Sequence, residues 1–378
     1  MDEETYVLLL STLKIILERR YILKSSKKIV ICVLLIVTSF ISLILINTNT
    51  NKTFKYKGST IALTVDGNNA TSFPTNGKYK VTVNCNNAKG RWNPKTWKLE
   101  ITKITGTVTC DVSFNSSVSN LTSLINNRTT KSENGYRYEG KDPNNYIWFN
   151  DELWRIIGNI PVCLTSGCSS TQNRVKIIRN DSIGAIKYGD NSTWMGSNIQ
   201  NLLNTCYLGK TSSCDSYCYS NSTFAIGICD YSAGGIDTAD YYGKMVEDVY
   251  FNVGAGDETY KTAANYYTQE IATHATSASK IGLMYASDWG YANDEFNGEL
   301  GFTTMPFGSS KNNWLSSNNE WTMSGYSSSN PLIVSHLGSL FSNASSNGSS
   351  IRPVLYLKSN VYVTGGTGTK VDPYRIGM

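Results

Sequence analysis

One uncharged apolar run near the N-terminus dominates the hydrophobic pattern of this chain. Residues 29–46 are almost all Ile, Leu, Val or Phe and carry no charged side chain. Because a helix rises about 1.5 Å per residue and the hydrocarbon layer is about 30 Å thick, the run predicts a single transmembrane helix. Lys24, Lys27 and Lys28 precede it directly, and basic residues stay preferentially in the cytoplasm. We therefore expect residues 1–28 to be the cytoplasmic tail of a cell-membrane protein whose bulk is extracytoplasmic.

A cleaved signal peptide is an alternative interpretation of residues 29–46. The run is longer than the usual core of a signal peptide, and no A-x-A cleavage site follows it, which favours an uncleaved signal anchor. Cys32 lies near the start of the run and is therefore badly placed to anchor a lipoprotein. A buried helix of a soluble protein is the third alternative.

After a polar linker at residues 47–57, the pattern changes to short alternating stretches. Apolar and polar side chains alternate in them as they do in half-buried strands, and turn residues such as Asp66-Gly67 separate them. The pattern predicts that residues 58–114 form a small antiparallel all-β sandwich. A disulfide between Cys85 and Cys110 would be natural for a core this small.

The remaining chain divides into a polar stretch and a longer domain. Residues 115–144 are rich in Asn, Ser and Thr and are interpreted as a linker. Residues 145–378 begin with two strands rich in Trp, Ile and Val and end in a buried strand and a hairpin. Stretches that begin near Trp194 and Tyr260 are typical of short helices. We therefore expect mostly short strands, long loops and two helices in this domain, which would be an α+β head after the transmembrane helix and the β module.

Eight of the nine cysteines lie on the predicted outer side of the membrane. An even number in such a compartment indicates disulfides, and Cys163 and Cys168 are close enough to bridge a hairpin loop. Free thiols are one alternative. Zinc is another, but paired C-x2-C spacings are absent and both histidines, His274 and His336, lie far away in sequence. The pairing stays open for the other four cysteines of the head, which are Cys206, Cys214, Cys218 and Cys229.

The charge pattern argues against one class of partner. The formal net charge of +5, from 34 basic and 29 acidic residues, is spread without a basic block or stripe. Nothing in it suggests binding of nucleic acid. Abundant Asn, Ser, Thr, Gly and Tyr favour strands and polar loops.

Five motifs of the head follow one another in the order of a C-type-lectin-like domain. They are LWRIIG, a helix beginning W-x4-IQNLLN, KIGLMYASD, NNWLSSNNEWTMSGY and SIRPVLYL. This order resembles the formylglycine-generating, sulfatase-modifying branch of that fold, whose closing strand Arg352-Pro353-Val354 would match. The tail SNVYVTGGTGTKVDPYRI looks like the ending of exported proteins of low-GC Gram-positive bacteria. The order Cys85, two tryptophans, Cys110 resembles small Ig-like modules of Gram-positive surface proteins.

The resemblance supplies no catalytic residue. Formylglycine-generating enzymes use a copper-bound cysteine pair late in the domain, whereas no cysteine follows Cys229 here. An enzyme of that type stays an alternative, but a G-x-S-x-G nucleophile elbow is absent too. We expect no cofactor and no metal. Asp288, Asp294, Glu295 and Glu299 lack the spacing of an EF-hand, which leaves calcium open and favours a solvated acidic loop.

Residues 312–329 combine aromatic side chains with amides and hydroxyls, which is typical of recognition loops. Trp314 has mainly polar neighbours and is expected to contact a ligand, whereas Trp321 is expected either in the core or in contact. The predicted function is binding of a cell-surface glycan or protein, and a structural component of the envelope is the alternative. The candidate ligand-binding residues are Asp288, Trp314, Asn319, Glu320, Trp321, Ser324 and Tyr326.

Overall fold

The structure is a computed structural model. The predicted transmembrane helix at 29–46, the tail at 1–28 and the linker at 47–57 lie outside the residues that it describes. In the part of the chain that is described, no helix is both long and apolar enough to cross a membrane. The described residues are 60–75, 77–129, 131–189, 193–209, 235–256, 262–294, 312–326 and 330–378.

Among the described residues strands dominate, with 41% strand against 14% helix. The α+β class expected from the sequence is therefore wrong, and the fold is mostly β. Abundant Asn, Ser, Thr and β-branched residues disfavour long helices, and the α-helices in the described part of the chain are short. They are α1 (Leu121–Arg128), α2 (Asn198–Asn201, continued by a π-helix over Leu202–Cys206), α3 (Ala263–Glu270) and α4 (Ala286–Tyr291).

Five sheets are present in the described ranges. Their strands, in chain order, are β1 (Thr60–Val65), β2 (Asn68–Asn69), β3 (Lys80–Asn86), β4 (Lys89–Asn93), β5 (Lys98–Thr102), β6 (Thr109–Asn115), β7 (Ser119–Asn120), β8 (Tyr136–Arg137), β9 (Tyr146–Phe149), β10 (Glu152–Cys163), β11 (Thr171–Arg179), β12 (Ala185–Lys187), β13 (Ala255–Gly256), β14 (Ile281–Gly282), β15 (Glu320–Tyr326), β16 (Asn330–Val334), β17 (Leu340–Ser342), β18 (Gly348–Ser350), β19 (Val354–Leu357), β20 (Tyr362–Gly365) and β21 (Arg375–Gly377).

The first sheet joins β2, β1, β6 and β3 in that order. β3 pairs antiparallel with β6, which places Cys85 opposite Cys110. β1, however, runs parallel to β6, with Ile61 opposite Cys110. The expected antiparallel arrangement is therefore wrong for β1. The long stretch between β1 and β6 supplies the crossover that a parallel pair requires.

The hairpin of β4 and β5 covers one face of this sheet. The centroid of the Trp92 ring lies 4.8 Å from that of Phe114, and the rings meet edge to face, an arrangement that aromatic pairs prefer. Gly90 passes against Cys85, and a Cβ there would collide with its sulfur. The predicted disulfide to Cys110, with Cα atoms 4.1 Å apart, closes this small core.

The second sheet forms the core of the head, in the order β14-β19-β11-β10-β8, with β9 paired to β10. β11 is central: Ile177 lies opposite Ile156 of β10 on one side and Leu355 of β19 on the other. All three side chains are fully buried. A parallel bridge between Ile147 and Tyr374 brings the start of the head next to its last strands.

Two further sheets complete the head, β12-β18-β15-β16-β17 with β13 on β15, and β21-β20-β7. Residues 115–144, expected to be a linker, therefore contribute to the folded unit. Asn120 of β7 lies opposite Tyr362 of β20, and its side chain also caps the first turn of α1. Leu121 and Ile125 of α1 are fully buried in the main core.

The β module and the head belong to one compact unit, Ser59–Met378. Lys95, in the β4–β5 turn, forms an ion pair of 3.6 Å with Asp151 of the head. The ammonium of Lys78 lies 5.5 Å from the centroid of the Tyr362 ring. These contacts set the module beside the C-terminal strands of the head, and a cleft lies between them.

Candidate functional site

Trp314, expected to be an exposed contact residue, is in the core. Its side chain is 5% exposed, and its indole N–H donates to the carbonyl of Tyr138 at 2.9 Å. The guanidinium of Arg155 lies 4.6 Å from the centroid of the ring. The expectation of a ligand contact at Trp314 is therefore wrong, because segments distant in sequence fold over this tryptophan.

β15 carries most of the other candidate residues and runs between β18 and β16. Trp321 is buried, and its indole N–H donates to the carbonyl of Ile186 at 2.8 Å. The buried hydroxyl of Ser324 donates to the Glu270 carboxylate at 2.5 Å. Both side chains therefore hold the head together and are closed to a ligand.

Asn319 and Tyr326 lie at the two ends of this strand. Asn319 is partly exposed, and its side-chain oxygen accepts the backbone N–H of His336 at 3.2 Å. The backbone of Tyr326 pairs with Asn330, whereas its side chain lies outside the described residues. The predicted recognition loop thus contains a buried strand for much of its length.

Glu320 is enclosed together with Arg352. Nε and Nη2 of Arg352 donate to both oxygens of the Glu320 carboxylate at 2.7 to 3.0 Å. Nη2 also donates to the carbonyl of Leu315 at 2.6 Å. The RPV motif therefore anchors the segment before β15, which is a structural role.

Asp288 lies in a buried ionic cluster at the start of α4. Its carboxylate pairs with Lys176 of β11 and, at 2.8 Å, with Arg137 of β8, and it accepts the backbone N–H of Tyr285 at 2.9 Å. Burial by itself would raise the pKa of Asp288, but the two cations outweigh it and hold the pKa below its usual range. The prediction of a solvated acidic loop is therefore wrong for Asp288, since both oxygens of its carboxylate already accept hydrogen bonds from protein groups.

A second buried carboxyl group, that of Glu270, has its pKa shifted in the opposite direction. Glu270 of α3 is buried, and burial raises its pKa even though it accepts hydrogen bonds from the hydroxyls of Ser287 and Ser324. Asp294 is exposed, whereas Glu295 and Glu299 lie outside the described residues. The acidic residues that are described therefore do not converge on a common calcium site.

An open concave surface lies in the cleft between the β module and the C-terminal hairpin, with a volume of about 910 Å³. Its walls are β3, β4 and β5 on one side and the hairpin of β20 and β21 on the other, and β9 and β10 contribute Trp148 and Leu153 to its floor. The residues that line it include Lys80, Thr82, Asn84, Lys89, Trp148, Leu153, Lys370 and Val371.

The cleft faces the open edge of β3. Five consecutive residues, 80–84, line it. Successive side chains of a strand point to opposite faces, so an unbroken run of lining residues indicates the edge and not one face. β3 ends the strand order of its sheet, and no strand pairs with its outer edge among the described residues. Backbone N–H and C=O groups on this edge are therefore free to pair with another chain.

Three lysines give the cleft its charge. Two other cations of the lining are paired, Arg91 with Glu100 at 2.7 Å and Arg375 with Asp372 at 2.9 Å. Hydrogen bonds from Asn93 and Arg91 hold the pKa of Glu100 below its usual range, so this carboxylate stays ionised within its own pair. Within the described residues no carboxylate pairs with the three exposed lysines, which are Lys80, Lys89 and Lys370.

The floor and rim of the cleft are apolar. Trp148 and Leu153 are half-buried and lie opposite each other across the β9–β10 hairpin. Asn150 and Asp151 form its two-residue turn with φ of 54° and 60°, a conformation that these residue types tolerate. Val371 at the tip of the C-terminal hairpin is 93% exposed.

Sequence reasoning missed this cleft because Lys370, in the C-terminal hairpin, is far in sequence from Lys80 of β3 and Lys89 of β4. No motif joins them, and each lysine alone is typical of an ordinary polar surface. The signal in the sequence was the alternation of KYKVTVNC, which predicted β3 but not which of its edges would remain open.

The two predicted disulfides that fall on described residues are confirmed. The Cα atoms are 4.1 Å apart in Cys85–Cys110 and 5.2 Å apart in Cys163–Cys168. Cys206 is also disulfide-bonded. The other three cysteines of the head, Cys214, Cys218 and Cys229, lie outside the described residues.

Comparisons with protein-family models, curated proteins and solved structures returned no match to this chain. A function for the cleft therefore has to be argued from its own geometry.

Proposed function

We propose that this chain is a binding protein that holds an extended acidic segment of a partner protein in the cleft beside β3. The observation that carries the proposal is the open edge of β3 facing three exposed lysines without carboxylate partners. A strand added to this edge would gain backbone hydrogen bonds, as in known cases of strand addition. We also propose that the protein works at the cell surface, anchored by residues 29–46, since disulfides persist in oxidising compartments.

The lining fits a partner strand that alternates acidic and apolar residues. Because side chains alternate along a strand, one set would face the ammonium groups of Lys80, Lys89 and Lys370. The other set would contact Trp148 and Leu153 on the floor. Three exposed ion pairs of up to about 1 kcal/mol each amount to about a hundredfold in affinity, and the backbone hydrogen bonds would supply the register.

The test uses the full chain and short fluorescent peptides of alternating Glu and Val. The peptide should bind with an affinity that falls as salt rises, because exposed charges are screened. Replacing Glu by Gln in the peptide should weaken binding. So should the triple variant Lys80→Glu, Lys89→Glu, Lys370→Glu, by about a hundredfold or more.

Two controls separate strand addition from general attraction. The matched triple variant reverses three exposed lysines outside the cleft, Lys103→Glu, Lys141→Glu and Lys244→Glu, and should bind the peptide nearly as the parent does. A peptide N-methylated at alternate positions keeps its charge but cannot donate along one edge, and it should bind poorly.

Each contrary result points to a different function. Equal binding of the N-methylated peptide would overturn strand addition. Binding to an array of acidic glycans, lost in the cleft variant and without any binding of peptide, would make the ligand a glycan. Binding to neither would leave a structural role in the envelope.

A further inference from the structure

Two cysteines and a histidine lie close together at the Cys163 end of β10, away from the cleft. Cys163 is the last residue of β10, Cys168 lies in the turn before β11, and His274 follows α3. The two sulfur atoms and a ring nitrogen of His274 lie within 4.8 Å of one another. Two thiolates and an imidazole are a donor set that zinc prefers.

The backbone fixes His274 beside the two cysteines. The segment 249–253 pairs with the residues directly before and after His274, through hydrogen bonds of 2.7 and 2.8 Å. In the same segment, the N–H of Tyr250 donates to the carbonyl of Cys163 at 2.9 Å. One extended segment therefore positions both the imidazole and the first cysteine, which is the kind of support that a binding site needs.

We propose that reduction of the Cys163–Cys168 disulfide opens a zinc site formed by these two cysteines and His274. A dithiol reductant supplies two electrons and two protons to the disulfide and leaves as its own disulfide. Zn²⁺ then binds the two sulfurs and the imidazole nitrogen, and the two thiol protons pass to solvent. The same pair of sulfurs thus has two exclusive states, a covalent bridge and a metal site.

Binding of zinc would require only a small movement of the two cysteine sulfurs. Zn–S bonds of about 2.3 Å at tetrahedral angles place two sulfurs about 3.8 Å apart, so the sulfurs must separate once their bond is broken. The turn at 164–167 can accommodate this because Thr165, Ser166 and Gly167 are exposed. Cys168 and His274 are only partly buried, so water can fill the fourth position of the ion.

The sequence spacing argued against a metal site because both histidines are far from every cysteine along the chain. In the folded chain His274 lies beside Cys163 and Cys168. His336 does not, and its ring nitrogen lies 3.0 Å from the side-chain oxygen of Asn319. The two histidines therefore form a matched pair for a test.

The experiment titrates the full chain with Co²⁺, a spectroscopic substitute for zinc, before and after reduction with a phosphine. The oxidised chain should show no thiolate-to-cobalt charge-transfer absorption from this site. The reduced chain should show it at one equivalent of Co²⁺, and Zn²⁺ should displace the cobalt. His274→Ala should weaken Co²⁺ binding by at least about tenfold, since removal of even an outer-shell partner typically costs about 10- to 100-fold in metal affinity.

Further variants keep the result decisive if other cysteines bind metal or a variant folds poorly. Cys163→Ser with Cys168→Ser should abolish the absorption of this site, whereas Cys85→Ser with Cys110→Ser and His336→Ala should keep it. His274→Cys should restore binding with a stronger charge-transfer band, because a third thiolate replaces the imidazole. A Co²⁺ absorption spectrum of the Cys163→Ser, Cys168→Ser variant identical to that of the reduced parent, or an affinity for Co²⁺ unchanged in His274→Ala, would overturn the proposal.

Discussion

Arg352 holds Glu320 through hydrogen bonds to both carboxylate oxygens, with both residues almost completely enclosed, at 4% and 1% exposure. Removing one partner of such a pair leaves a buried charge without compensation. Glu320→Gln should therefore lower the free energy of unfolding by about 3 to 5 kcal/mol, measured by urea denaturation. The exposed pair Arg91–Glu100 is the control, and Glu100→Gln should cost at most about 1 kcal/mol. Equal effects of the two variants would contradict the assignment.

The buried carboxylate of Asp288 should make stability depend on acid pH. Lys176 and Arg137 hold its pKa in the folded chain below the ordinary value. Its contribution is therefore complete above the unfolded pKa, about 3.9, and is lost as pH falls through the depressed folded pKa. The stability difference between the parent and Asp288→Asn should be largest above about pH 4 and shrink below it.

Glu270 should show the reverse trend in the same denaturation series. Burial raises its folded pKa, so its contribution is present below the unfolded pKa and is lost as pH rises through the folded one. The difference between the parent and Glu270→Gln should shrink as pH rises. Parallel trends for Glu270 and Asp288 would show that one of the two environments is wrongly assigned.

Trp314→Ala should destabilise the protein severely. The ring is buried and hydrogen-bonded, and truncating such a side chain costs about 3 to 5 kcal/mol. Leu355→Ala, in β19, should cost a comparable 2 to 5 kcal/mol, roughly. Trp148→Ala, on the half-exposed floor of the cleft, should cost clearly less. Melting temperatures of the three variants test this prediction. An unchanged melting temperature of Trp314→Ala would show that Trp314 is a surface residue.

The disulfides Cys85–Cys110 and Cys163–Cys168 should differ in their effect on stability. They span 25 and 5 residues of sequence, and loop-closure entropy gives about 3.5 and about 2 kcal/mol for these lengths. Cys85→Ala with Cys110→Ala should thus lower the denaturation midpoint more than Cys163→Ala with Cys168→Ala. A larger effect of the shorter bridge would mean that native contacts, and not chain entropy, dominate.

Local pattern predicted much of the β module and the ends of the head. The alternation in KYKVTVNC and TCDVSF was enough to predict β3 and β6, and the position of one cysteine in each was enough to predict their bridge. Alternation does not determine which strands become neighbours. The parallel pairing of β1 with β6 depends on how the chain between them packs, which no short window contains.

The prediction of the ligand-binding residues was wrong for a related reason. Trp314 has polar neighbours in sequence, but the carbonyl that it binds belongs to Tyr138 and the cation above it to Arg155, both more than a hundred residues away. Exposure is a property of the assembled sheets, so local polarity predicted it wrongly. The cleft lysines are the converse case, since only the tertiary fold brings Lys370 to Lys80 and Lys89.

The parallel pairing of β1 with β6 also determines how the unit responds to tension. Thr60 lies opposite Thr109 and Val65 opposite Phe114, so the chain enters β1 at one end of the ladder and leaves β6 at the other. A pull on the segment before Thr60, resisted by the chain after β6, acts along the strands. The hydrogen bonds between β1 and β6 are then loaded together in shear and do not break one after another. The β1–β6 pair is therefore a mechanical clamp.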